Sequence, residues 1–199
     1  MIITISRENG SGGSEIGHKL AEKLGVPCYD KTVTQLTADI SGFAKDIVEK
    51  SADKTPMPFD YSGYYYFYDT ASSDKWLPVY DQIYLAQSKA IVRLAEKGSC
   101  VIVGRCAAHV LEERNIPCVS IFIHAPEKER IKRIRQRHNL DEKGAIKYIK
   151  KNDKARATYY RKYAGAEWGK IQNYDMTISS AIGIDKVVDL LADFAKKYQ

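Results

Sequence analysis

The feature that most constrains this chain is the way its first apolar run ends. Ile2-Ile3-Thr4-Ile5-Ser6 passes directly into Arg7-Glu8-Asn9-Gly10-Ser11-Gly12-Gly13-Ser14. Ile16, Leu20 and Leu24 then recur on one helical face until Gly25 and Pro27 stop the pattern. A short buried strand, a glycine turn and a helix in that order bring backbone N–H groups and the positive end of a helix dipole to one point, which makes a cradle for an anion. Phosphate is the expected guest, held by Gly10, Ser11, Gly12, Gly13 and Ser14, with Ser14 as helix N-cap or first-turn residue. The same residues also fit a tight strand-to-helix connection that binds nothing. The usual phosphate loop places Lys just before its final Ser or Thr, whereas here Gly13 precedes Ser14.

A chain of 199 residues is most simply one domain, long enough to bury a large share of its surface in a single core. Its four cysteines, at positions 28, 100, 106 and 118, lack paired metal-ligand spacing and read as thiols of a reducing compartment. Nothing resembles a leader, and no apolar run approaches the roughly 18 residues of a membrane span, so the expectation is a soluble cytoplasmic protein. The four histidines are scattered and read as surface residues. The charge is uneven. Between Pro126 and Lys162, 14 Lys and Arg stand against 5 Asp and Glu, so this one segment carries more than the net +6 of the whole chain. A solvated helical face and a nucleic-acid surface both fit such a run, but no nucleic-acid module accompanies it. A clamp for a polyanion fits the phosphate cradle better.

Further strand patterns lie at Pro27 to Tyr29, Cys100 to Val103, Cys118 to His124 and Met176 to Ser180. Helical patterns separate them at Gln82 to Lys97, Ala107 to Glu113, Glu127 to Arg137 and Asp185 to Lys197. This alternation predicts an α/β fold with a five-stranded parallel sheet and helices on both faces. Ligands in such sheets bind at the carboxyl ends of the strands, which directs attention to the Arg7 to Ser14 turn, Asp30 and Lys31, Gly104 to Cys106, and the segment from Pro126. One stretch breaks the alternation. Thr55 to Leu77 holds Pro56, Pro58, Gly63 and a dense run of tyrosine and phenylalanine over 59–68, read as an excursion whose rings could stack on a base, meet a partner or form a satellite core.

With these elements placed, the chain resembles the nucleoside monophosphate kinase group of P-loop proteins, and specifically the cytidylate kinase-like family. The likeness rests on Ile5 to Gly13, on Val101-Ile102-Val103-Gly104-Arg105-Cys106-Ala107 and on Asp153-Lys154-Ala155-Arg156-Ala157-Thr158-Tyr159-Tyr160. It implies one P-loop domain with an acceptor-side arm over 31–81 and a helical lid over 127–161. It further implies transfer of phosphate from ATP to a nucleoside monophosphate, with cytidylate as the default acceptor and Mg2+ accompanying ATP on Ser14, where Glu8 helps through water. Arg105 would hold the acceptor phosphate with the planar fork of its guanidinium. Asp153 and Arg156 would hold acceptor ribose and phosphate together with Asp30 and Lys31, while Arg130 and Arg133 would cover the donor.

Three positions depart from the family pattern: Gly13 for the loop lysine, Val103 for an Asp before Gly-Arg, and Cys106 for an Asp that helps read cytosine. Arg7 and Lys31 are the cations placed to supply the missing charge. The residues leave open a nucleotide-binding sensor, a kinase of another small acceptor, an ordinary ion pair at Asp153 and Arg156, and, less well supported, an RNA-binding protein. They leave the oligomeric state undetermined.

Overall fold

The structure, a computed structural model, describes residues 1–53 and 77–197. The aromatic run over 59–68 lies outside the described residues. In chain order the elements are β1 (Ile2–Arg7), α1 (Gly13–Leu24), β2 (Cys28–Tyr29), α2 (Lys31–Ser41), α3 (Lys45–Asp53), α4 (Val79–Ala95), β3 (Cys100–Val103), α5 (Ala107–Glu113), β4 (Val119–His124), α6 (Glu127–His138), α7 (Glu142–Ala164), β5 (Met176–Ser179) and α8 (Ile184–Lys197). The strands form one sheet in the order β2-β3-β1-β4-β5, with every neighbouring pair parallel.

Alternation along the strands sorts their side chains between two cores. Ile3 and Ile5 of β1, Val101 and Val103 of β3, and Ile121 and Ile123 of β4 pack against Ile16 and Leu20 of α1 and Val187, Val188 and Leu191 of α8. Ile2, Cys100 and Ile102 face the other way, onto Val33 of α2, Ile91 and Leu94 of α4, and Val110 and Leu111 of α5. The adjacent strands β1 and β3 therefore lead into helices on opposite faces of the sheet. Their carboxyl ends border a crevice of the kind in which open α/β sheets bind ligands.

The sequence patterns assign no element between Lys31 and the aromatic run, yet α2 and α3 occupy much of that segment. The buried face of α2 is Val33, Thr34, Thr37 and Ala38. Half of it is threonine, so it carries little apolar periodicity. Thr37 becomes compatible with burial by donating its hydroxyl to the Val33 carbonyl at 2.6 Å. The basic segment divides into α6 and α7, which meet through Ile134, Ala145 and Ile149. The carboxylate of Asp141 caps α7 by accepting the Gly144 N–H at 2.8 Å.

Candidate functional site

The turn after β1 is held from within and from outside. Ser11 is fully buried; its hydroxyl donates to the Glu8 carbonyl at 2.9 Å and accepts the Gly13 N–H at 3.3 Å. Gly12, with φ 82°, forms the N-cap of α1, and Ser14 is the second residue of that helix. The carbonyl edge of the turn is tied to α6. Arg130 Nε donates to the Asn9 carbonyl at 2.8 Å, and Arg133 Nη1 donates to the Ser11 carbonyl at 3.0 Å and the Gly10 carbonyl at 3.3 Å. In a trans peptide C=O and N–H point in opposite directions. Fixing these three carbonyls therefore turns the N–H groups of Gly10, Ser11 and Gly12 away from the arginines.

Arg130 is itself buried, 8% exposed, between two carboxylates. Glu8 Oε1 lies 3.0 Å from Nη1, and Asp153 Oδ2 pairs with Nη2. Asp153 also accepts the Asn9 N–H at 2.8 Å, so it is bound to the loop and to α6 at once. Glu8, the second metal candidate, is engaged by Arg130 and by the backbone after β4. Its other oxygen accepts the Ala125 N–H at 3.0 Å.

A second centre forms where β3 ends. Gly104, Arg105 and Cys106 have φ of 76°, 63° and 53°, three left-handed residues in succession, two of them bearing side chains. Such backbone is costly for residues with a Cβ and persists where surrounding contacts hold it. Gln87, buried on α4, is one such contact: its amide donates to the Arg105 carbonyl at 3.1 Å and to the Tyr159 hydroxyl of α7 at 2.7 Å. Arg105 Nη2 donates to Thr34 Oγ1 at 3.0 Å, while Nη1 is buried without a hydrogen-bond partner among the described residues. The Cys106 thiol is buried too, and desolvation pushes it up to about 12, so it stays neutral.

Arg7 joins the two centres. Its side chain runs along Gly13 and ends on Gly104, where an added Cβ would stand 1.9 Å from Nη1. Its Nη2 lies 4.0 Å from Asp30, and its carbonyl accepts Arg156 Nη1 at 2.9 Å. Ser6, Arg7, Gly104, Arg105, Cys106 and Arg156 line a cavity of about 80 Å³, with Tyr159, Tyr160 and Trp168 completing its wall. Three guanidinium-bearing residues in its lining suit it to an anion such as a phosphate group.

Asp30, directly after β2, accepts the Ser14 hydroxyl at 2.5 Å. A hydroxyl and a carboxylate beside a phosphate cradle suit Mg2+, which binds a few protein oxygens and fills its remaining positions with water and phosphate. Lys31 is exposed on the first turn of α2. Gln87, Thr34 and Ser180, whose hydroxyl donates to the Ser11 carbonyl at 2.6 Å, support the site but gave no motif signal. Uncharged side chains within helix or turn patterns look like ordinary polar surface until their partners are known.

Known proteins share this architecture. The profile of the cytidylate kinase-like family matches residues 2–182. A cytidylate kinase of Methanocaldococcus jannaschii is 25% identical over 202 residues, covering 99% of this chain and all of that protein. A cytidylate kinase of Methanoculleus marisnigri is 28% identical, covering 93% and 88%. Among solved structures, an uncharacterized protein from Eubacterium ventriosum superposes with a TM-score of 0.69 at 29% identity, covering 98% of this chain and 97% of that one. Shikimate kinase from Bacteroides thetaiotaomicron shares the fold, with a TM-score of 0.57 at 13% identity and 98% coverage of both chains.

Proposed function

From the premise that this chain belongs to the cytidylate kinase-like family, we propose that it transfers the terminal phosphate of ATP to a nucleoside monophosphate, with cytidine monophosphate the first acceptor to try. The observation that carries this reading is the meeting of Arg7, Arg105 and Arg156 at one cavity, which the Arg7 stem joins to the glycine-rich turn through Gly13. In the proposed complex the turn from Gly10 to Ser14 cradles the donor phosphates. Arg105 takes the acceptor phosphate, and its buried Nη1, unpartnered among the described residues, supplies a donor for it. Arg156 closes the same cavity from α7. Phosphoryl transfer requires little covalent chemistry of the protein, so in-line positioning and cations against the equatorial oxygens account for most of its work.

Ser14 and Asp30 would hold Mg2+, which when bound neutralises phosphate charge and orients the donor. In this reading Arg130 and Arg133 act as positioning residues, since they hold loop carbonyls and through them set the direction of the N–H groups. Asp153 fixes the same loop through the Asn9 N–H and reaches an acceptor only through that loop.

The test is phosphate transfer from MgATP to a panel of nucleoside monophosphates. Turnover on one acceptor is expected, with kcat/KM falling by about 100- to 1000-fold in Arg105→Ala. Intact MgATP binding without turnover on any acceptor would replace this reading with that of a nucleotide sensor.

A further inference from the structure

Two departures from the phosphate-loop pattern in this chain are physically one. The general pattern is G-x-x-x-x-G-K-[ST]. Laid on residues 7–14, Gly12 and Ser14 fall on it, whereas Arg7 stands at the first glycine and Gly13 at the lysine. A Cβ added to Gly13 would lie 2.5 Å from Arg7 Cβ and 2.9 Å from Arg7 Cγ, with Ile123 Cβ at 3.2 Å on another side. The colliding atoms are the first two carbons of the Arg7 stem, so swinging the far end of either side chain relieves nothing. Positions 7 and 13 exclude each other: one of them can carry a side chain only while the other is bare.

We propose that the loop cation has been exchanged between these positions, so that Arg7 rises from the end of β1 to serve the phosphates in place of a lysine at 13. The reach of Arg7 supports this. Its guanidinium ends on Gly104, where a side chain would push it aside, and lines the same cavity as Arg105 and Arg156. There it faces the gap between the donor cradle and the acceptor arginines, 4.0 Å from the carboxylate of Asp30 that receives the Ser14 hydroxyl. A guanidinium in that position can span oxygens of both phosphates, where a lysine offers one point of charge. Gly13 is then the consequence of Arg7, and the loop has kept its cation.

This inference deepens the kinase reading and rests on it for its turnover arm. The experiment compares wild type, Arg7→Met, Arg7→Gly, Gly13→Lys and the double variant Arg7→Gly/Gly13→Lys, with kcat on the accepted nucleotide and calorimetric MgATP affinity as readouts. Arg7→Met keeps the stem against Gly13 and removes only the charge; it is expected to lose about 100- to 1000-fold in kcat. Gly13→Lys is expected to be impaired by crowding. The double variant, which restores the general pattern, is expected to exceed Arg7→Gly by about tenfold or more in kcat. Thermal unfolding establishes that each variant is folded, and if the glycine variants unfold, Arg7→Met decides alone. Arg7→Met within about threefold of wild type would overturn the proposal, as would a folded double variant no faster than Arg7→Gly. A wild type without turnover sinks the kinase reading instead, and the exchange is then judged by whether MgATP affinity follows the same order among the variants.

Discussion

A side chain at position 104 would be strained at its backbone and would have to push the end of Arg7 aside. Gly104 has φ 76°, and its would-be Cβ stands 1.9 Å from Arg7 Nη1. Gly104→Ala is therefore expected to displace the Arg7 guanidinium and lower kcat by about 100-fold, with a backbone cost of about 1–2 kcal/mol in chemical denaturation. A wild-type rate in this variant would separate the position of Arg7 from its proposed role. Gln87→Leu removes the donor that Arg105 and Tyr159 share and leaves the Arg105 carbonyl without that bond. An expected loss of about 1–3 kcal/mol, measured by urea unfolding and accompanied by a higher KM for the acceptor, checks that Gln87 holds the left-handed run in place. At this scale the sequence displayed the residue types but not their pairing. Arg105 was visible as the residue after a strand, whereas Gln87 resembles any polar position of a helix.

The elements α6 and α7 are docked onto the phosphate loop at one end and onto α4 at the other. Tyr84 of α4 and Tyr163 of α7 stack with ring centres 3.9 Å apart, and the Tyr163 hydroxyl donates to Asp81 at 2.9 Å. At the loop end Arg130 sits between Glu8 and Asp153. Arg130→Ala leaves both carboxylates without their buried cation and is expected to destabilise the fold by about 3–5 kcal/mol, measured by guanidinium unfolding. A loss below about 1 kcal/mol would mean that solvent reaches the cluster and screens it, as at a surface pair. The basic run in the sequence announced a helical segment directed at anions. Its inward arginines hold backbone carbonyls of the loop and the carboxylates of Glu8 and Asp153, because α6 packs so closely on Gly10 that a Cβ there would stand 2.8 Å from the Arg130 carbonyl.

Across the whole molecule, burial of weak acids sets an alkaline limit to stability. Desolvation raises Cys28, Cys100 and Cys118 to about 11 and Cys106 and Tyr84 to about 12, from ordinary values of 9.0 for the thiols and 10.0 for the phenol. The unfolded chain therefore releases these protons at lower pH than the folded protein does. Their contribution to stability is complete below pH 9 and is lost as pH rises through the folded values. A urea midpoint that falls steadily from pH 9 to 11 at about constant m is the expected outcome; a flat profile would show that the thiols are open to water. Among the described residues no helix is long and apolar enough to cross a membrane.

The five strands, the helices with a clear apolar face, the glycine turn and the arginine after β3 were determined by sequence alone, because periods of 2 and 3.6 and the φ preferences of glycine act over a few neighbouring residues, whereas the threonine-rich α2 and the short α3 left no such pattern. Tertiary structure alone decided the strand order, the meeting of Asn9 with Asp153 across 144 positions, and the course of Arg7 between two bare glycines. Such contacts arise from how layers pack in space, and a sequence records the chemistry of each partner without recording which partner it meets.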